Sequence, residues 1–302
     1  KMIKKAIQVL VSGKSLTMGE AGDVMKEIME GQVTPAQFGA LVTALRIKGE
    51  TVEEIAGFAR IMRAKAVPVK VSGMVVDTCG TGGDASGTFN ISTAAAFVVA
   101  GVGLKVAKHG NRAASSQCGS ADVVEALGVR LDLTAEDVGR CLEEVGVGFM
   151  FAPTFHPAMK YAAAPRREIS IRTVFNILGP LTNPAGARAQ VLGVADSALV
   201  EKLAQVLKSL DCHHALVVHG EDGLDEITVT GESRVCELID GRIVKYTVSL
   251  EELGLCRASY GSLKGGMVVE NAKILRDVLG GEPGPKLDVV LINAAAVLMA
   301  GD

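Results

Sequence analysis

Several things are missing from this chain, and each absence narrows what it does. Basic residues do not outnumber acidic ones: Lys+Arg number 31 and Asp+Glu 34 in 302 residues. That balance argues against a nucleic-acid surface, and no long acidic run suggests a tail. The six cysteines include no C-x-x-C pair. In an enzyme-sized chain, scattered cysteines suit a reduced, cytoplasmic protein rather than a disulfide-stapled one. The start "KMIKKAIQVL" carries charge but no long apolar core or small-residue cleavage site, so no signal peptide is expected. "AAAFVVAGVGL" is too short and too broken by glycine to cross a membrane. Repeats, low-complexity tracts and a G-x-x-x-x-G-K-[ST] phosphate loop are also lacking.

What is present divides at about residue 66. The first part is helical by signal. Thr17 to Glu20, Thr34 to Gln37 and Thr51 to Glu54 each fit the S/T-x-x-E/Q capping pattern, and Pro35 stands where a first-turn proline is tolerated. Apolar residues recur at helical spacing: Met25, Ile28 and Met29; Phe38, Leu41, Val42 and Leu45; Ile55, Phe58, Ala59 and Met62. Beyond "VPVKVSG" the pattern alternates. Strands are expected at 74–77, 104–108, 148–151, 190–193 and 215–219, with helices at 92–100, 121–127, 135–145 and 199–210. Asp240-Gly241 between two alternating runs predicts an antiparallel hairpin. The expectation is an α/β protein with a mostly parallel central sheet. It has a helical domain over 1–66, joined by part of 160–185, and an α/β domain over 72–302.

Two strand-to-helix junctions carry the chemistry. The first, "DTCGTGGDASGTFNIST" (77–93), joins glycines to Asp84, Thr88, Asn90, Ser92 and Thr93. Glycines let a backbone present N–H groups closely, and a following helix start adds partial positive charge, which together suit phosphate. Gly80, Gly82 and Ala85 also fit G-x-G-x-x-A. A dinucleotide site, however, wants an acid at the end of the next strand, where Lys108 and His109 stand. The second junction, "KHGNRAASSQCGSAD" (108–122), supplies Lys108, Asn111, Arg112, Ser115, Ser116 and Ser120. Two such junctions in succession predict one polyanionic ligand at the carboxyl edge of the sheet. Capping and packing are the plainer readings of these residues, and the two junctions together outweigh them.

Asp225-Glu226 would be a solvated turn if it stood alone. Beside phosphates, the pair suits Mg²⁺. The stretch 151–184 holds His156, Tyr161, Arg166, Arg167 and Arg172. Its arginines could clamp a carboxylate or pair across a domain interface, and the residues alone leave that even. Cys212-His213-His214 with His219 reads as packing rather than a metal site, and Cys79 as a space-filler.

The two junctions, "FHPAMKYAAAPRREISIRTVFNILGPLTNP" and "GLDE" together resemble the anthranilate phosphoribosyltransferase family, in order along nearly the whole chain. The resemblance implies transfer of phosphoribosyl from 5-phosphoribosyl 1-diphosphate to the amine of anthranilate, releasing pyrophosphate in tryptophan biosynthesis. It implies that Gly80, Gly82, Gly83, Asp84, Thr88 and Asn90 to Thr93, with Ile91 among them, hold the sugar diphosphate. Lys108 to Ser116 grip its phosphates, a run that includes His109, Gly110, Asn111, Arg112, Ala113, Ala114 and Ser115, and Ser120 joins them. Ser92, Asp225 and Glu226 take two magnesium ions. Asn111 and Arg166 contact anthranilate, while His109, His156 and Tyr161 line its path.

Asp84, Lys108, Asn111 and Arg166 are the expected catalytic set. Lys108 steadies the leaving diphosphate, and Asp84 or the leaving pyrophosphate itself offers negative potential to the cationic ribose carbon. The implied partners are the two substrates and a second copy bound through the helical domain, with neither nucleic acid nor membrane. A further helical segment is expected after "LMAGD". A nucleic-acid-binding relative would have lost Asp225-Glu226 or Arg166 and gained basic charge. A pyrimidine nucleoside phosphorylase would continue its lysine-histidine motif differently.

Overall fold

Residues 1–113 and 116–302 are described by a computed structural model. Four helices come first: α1 (Met2–Val11), α2 (Met18–Met29), α3 (Pro35–Lys48) and α4 (Val52–Lys65). Then follow β1 (Val76–Gly80), α5 (Ile91–Val102), β2 (Val106–Gly110), α6 (Ser120–Ala126), α7 (Ala135–Glu144) and β3 (Val147–Phe151). Short helices α8 (Ala152–Phe155), α9 (Lys160–Ile169) and α10 (Phe175–Leu178) lead to β4 (Ala189–Gly193), α11 (Leu199–Ser209) and β5 (His214–Gly220). The chain continues through β6 (Ser233–Ile239), β7 (Arg242–Val248), α12 (Val268–Leu279) and α13 (Pro285–Ala300).

The helical part forms for local reasons. Thr17, Thr34 and Thr51 each accept the N–H three residues on, and each cap's own N–H donates back to Glu20, Gln37 or Glu54. The expected apolar positions, among them Met25, Phe38, Leu45, Ile55 and Phe58, are buried. They share one core with Ala162 of α9, Phe175 and Leu178 of α10, and Leu203 and Leu207 of α11. The rings of Phe38 and Phe175 lie 5.2 Å apart. Much of the bundle's apolar surface is therefore covered within the chain, and Val11 and Ile47 are the large apolar side chains of residues 1–66 that stay exposed.

The strands form one sheet in the order β3-β2-β1-β4-β5-β6-β7. The first five strands in that order are parallel, and β6 and β7 pair antiparallel. The hairpin turn has positive φ at both Asp240 (49°) and Gly241 (71°), the conformation a two-residue turn requires. β1 starts two residues later than its apolar run suggests, because its ladder to β4 extends to Gly80 opposite Gly193. From β1 the chain winds one way to β2 and β3 and the other way to β4 and β5. That reversal opens a crevice at the carboxyl ends of β1 and β4, where α/β sheets bind ligands. No helix among the described residues is long and apolar enough to cross a membrane.

Candidate active site

The acidic pair after β5 sits in that crevice. The Asp225 carboxylate accepts the Gly82 N–H at 2.8 Å, and Glu226 accepts the Ser92 N–H at 3.2 Å. One acid therefore touches the glycine loop and the other the start of α5. The approach is close because two strand ends lack side chains: a Cβ at Gly80 would stand 2.2 Å from Asp225 Oδ2, and one at Gly193 1.6 Å from the Asp225 carbonyl oxygen. Burial and the neighbouring Asp84 carboxylate push Asp225 up to about 6. Burial, then the charge of Asp225, push Glu226 up as well. Such a pair fits a divalent cation whose remaining ligands are phosphate oxygens and water. Among the described residues, no group of three His, Cys, Asp or Glu side chains is placed to hold a metal unaided.

Lys108 is the cation of the crevice. Its ammonium donates to the Thr78 carbonyl at 2.6 Å, lies 3.4 Å from Ser92 Oγ, and is 3% exposed. Asp77, buried beneath it, is held by Asn183 and by its neighbour's N–H. In the glycine loop, Thr88 and Ser86 share hydroxyl bonds and Asp84 accepts the Ser86 N–H. Ile91 and Thr93 are buried. Asn90 turns its amide to Cys118 and Asn271.

Across the second junction, Gly110 sits against Ser120 and Asn111 accepts the Arg112 N–H. The Arg112 guanidinium is paired with Asp122 and Glu125 and lies over Phe151, while the Ala113 N–H also bonds Asp122. Ser116 is exposed. Ala114 and Ser115 lie outside the described residues.

Towards the helical side, Arg166 stacks on the Phe175 ring at 5.5 Å and has no ion pair among the described residues. Burial lowers its pKa, which marks a desolvated cation. The His109 and His156 rings lie 5.0 Å apart, each bonded to a carbonyl of the 179–182 turn. His109 Nε2 and His156 Nδ1 are buried without partners. Burial, then the neighbouring His156, hold His109 down at about 3, so the ring is neutral. Tyr161 is 46% exposed and packs over Gly31 of the bundle.

Residues 4–66 match the Glycosyl transferase family, helical bundle domain, and residues 72–302 the Glycosyl transferase family, a/b domain. The chain is 60% identical over 303 residues to the anthranilate phosphoribosyltransferase of Dehalococcoides mccartyi, covering 100% of this chain and 89% of that one. The chain belongs to the anthranilate phosphoribosyltransferase family. It is an enzyme that passes a phosphoribosyl group to anthranilate. The crystal structure of the Thermus thermophilus anthranilate phosphoribosyltransferase matches with a TM-score of 0.93 at 48% identity, over 98% of this chain and 89% of that one. The Saccharomyces cerevisiae enzyme in complex with PRPP and Mg matches with a TM-score of 0.90 at 27% identity, over 99% and 88%.

Two residues at the rim carry no motif of their own. Gly193, at the end of β4, makes room for Asp225. Arg172 crosses from the α9–α10 connection, donates to the Gly82 carbonyl at 2.7 Å, and puts its guanidinium where a side chain on Gly83 would be. The sequence offers Arg172 only as one of several arginines, and it offers Gly193 only as a strand end.

Proposed function

We propose that the rim holds 5-phosphoribosyl 1-diphosphate across the ends of β1, β2 and β5, with anthranilate between that sugar and Arg166. The observation that carries this is the acidic pair, one carboxylate bonded to the glycine loop and the other to the start of α5. Asp225, Glu226 and Ser92 would hold magnesium, as the yeast complex with PRPP and Mg supports. When bound, the metal supplies positive charge to the diphosphate oxygens as the bond to the sugar breaks. Two ions suit a ligand with phosphates at both ends.

The chain's own residues do the rest. Lys108, fixed by Thr78, steadies charge on the leaving diphosphate. Asp84, beside the crevice, opposes the positive charge that develops on the ribose carbon. Arg166 takes the anthranilate carboxylate and aims the amine. The amine nitrogen bonds to C1 as the C1–oxygen bond breaks, pyrophosphate leaves, and the nitrogen gives up one proton. An aryl amine is already unprotonated at neutral pH, so positioning is the main task. The neutral His109 and His156 line the path as apolar-faced rings with free acceptor nitrogens.

Residues 1–66, with part of 160–185, form one body and 72–302 the other, a division that the two matched family domains support, while α9 and α10 pack into the bundle's core. A homodimer through the helical body would cover the exposed Val11 and Ile47. Six free cysteines fit a cytoplasmic enzyme.

Anthranilate fluorescence tests the reading. Adding the sugar diphosphate and magnesium should extinguish it. No loss, together with phosphate-dependent nucleoside cleavage, would instead favour a nucleoside phosphorylase. Arg166→Ala should raise KM for anthranilate more than for the sugar diphosphate, and equal rises would refute the carboxylate role.

A further inference from the structure

Asn271 lies on α12, far from every motif in the sequence, yet its amide reaches the rim. It is 2% exposed, among Ala272, Leu275 and Val278. Burying an amide in such company is unfavourable unless its hydrogen bonds are made, and here they are. Asn271 Oδ1 accepts the Gly266 N–H at 2.8 Å, and Nδ2 donates to Asn90 Oδ1 at 3.1 Å. Asn90 Nδ2 in turn donates to the Cys118 carbonyl at 3.1 Å. The relay therefore runs from α12 through the end of the first junction to the end of the second.

A second set of contacts fixes the same place. Residues 263–266 run beside the glycine loop: Phe89 N–H donates to the Leu263 carbonyl at 3.3 Å, Gly265 N–H to the Gly87 carbonyl at 2.9 Å, and Thr88 and Lys264 form an antiparallel bridge. The approach tolerates no side chain on Gly265, where a Cβ would stand 2.5 Å from Asn271 Oδ1 and 2.7 Å from Phe89 Cα. The turn before α12 is thus a clamp on residues 87–89, with Asn271 at its base.

Asn90 is the N-cap of α5, and asparagine there ordinarily turns its oxygen onto the helix's own N–H groups. Asn90 makes no such bond. Its Oδ1 is occupied by Asn271 instead, so the start of α5 has no cap from its own side chain and faces the crevice. We propose that Asn271 is a positioning residue for the sugar diphosphate: through Asn90 it ties the two junctions together and keeps the Asn90 side chain off the start of α5, where Glu226 takes the Ser92 N–H. This rests on the functional reading above and deepens it.

Steady-state kinetics in both substrates, with thermal melting, test it on Asn271→Ala and Asn271→Asp. The aspartate keeps the acceptor for Gly266 but cannot donate to Asn90. Flipping the Asn90 amide would only move the conflict to the Cys118 carbonyl. Both variants should fold and raise KM for the sugar diphosphate about tenfold, the loss of one good contact, with KM for anthranilate within about twofold. The double variant Asn90→Ala/Asn271→Ala should be no worse than the poorer single one. Folded variants with an unchanged KM, or equal rises for both substrates, overturn the proposal. So does failure of both variants to fold, which would assign Asn271 to the scaffold. A parent without transferase activity would count against the functional reading. Titration calorimetry with the sugar diphosphate would then still compare parent and variants, and a parent that does not bind it overturns both.

Discussion

Thr34 at the start of α3 and Asn90 at the start of α5 are both good helix caps by type, and they are used in opposite ways. Thr34 accepts the Gln37 N–H and completes a reciprocal box; Asn90 gives its helix nothing and bonds Asn271 and Cys118. The difference extends to the regions around them. In the bundle, even the wholly buried Glu54 is met by Lys48 and by the N–H groups of Leu16 and Thr51. At the rim, carboxylates crowd one another, two imidazole nitrogens are buried without partners, and Ala85 has a φ of 54°. A region built only for stability satisfies its own groups. A region built to hold something else leaves its groups waiting for it.

The largest test of that contrast exchanges one glycine in each region. Gly193→Ala would drive a methyl into the Asp225 backbone, with a separation of 1.6 Å before anything moves. Asp225 must shift by an ångström or more, and kcat/KM should fall about hundredfold, the scale expected for such misplacement. Gly19→Ala, in the first turns of α2, meets nothing within 4 Å. It should leave the kinetics unchanged and raise stability by up to about 1 kcal/mol. Similar kinetics for the two variants would break the contrast.

A smaller effect should follow from charge. With Asp225 pushed up to about 6 and Glu226 also raised, the folded protein without metal holds protons that the unfolded chain has already lost. The pair therefore favours folding in acid, and that contribution fades as pH rises through about 6. Asp225→Asn removes the repulsion. Its stability should gain on the parent by about 1.4 kcal/mol between pH 5 and pH 8. Magnesium should narrow the gap by stabilising the parent, more at pH 8 than at pH 5. Melting curves with and without the metal check this, and a gap independent of pH would mean that the acids are not strained.

The same contrast explains what could be read from the sequence. The capping boxes, the helical spacing and the Asp240-Gly241 hairpin are local, decided within four residues or so, and the structure has them all. The glycine junctions were legible because their chemistry is also local: strand, bare backbone, helix start. The fold class followed from the alternation of strands and helices, and the reaction came only with the family resemblance. Strand ends were less legible. β2 runs 106–110 rather than 104–108 because pairing with β3 fixes it through Gly110, which carries no apolar signal. Gly193, Arg172 and Asn271 were illegible as site residues because their partners lie far along the chain. Asn271 meets Asn90 across 181 positions, and Arg172 meets Gly82 across 90. Sequence spacing carries no trace of such contacts. Arg112 is the converse: its motif suggests phosphate, while Asp122 and Glu125 hold its guanidinium.

The smallest effect is the cleanest measure of the bundle's side of the comparison. Thr34→Ala removes the acceptor for the Gln37 N–H at 3.2 Å and frees the glutamine that answers it. The site is exposed, so water replaces part of what is lost, and the cost should be about 1 kcal/mol. In a chain of this size that lowers Tm by roughly 2–4 °C. Because α3 packs into the core it shares with α9 and α10 and Thr34 itself is exposed, both KM values and kcat should stay at the parent's values below the melting range. A change in KM for anthranilate would mean that strain at the start of α3 reaches Arg166 through Phe38 and Phe175, and the two regions would then have to be treated as one.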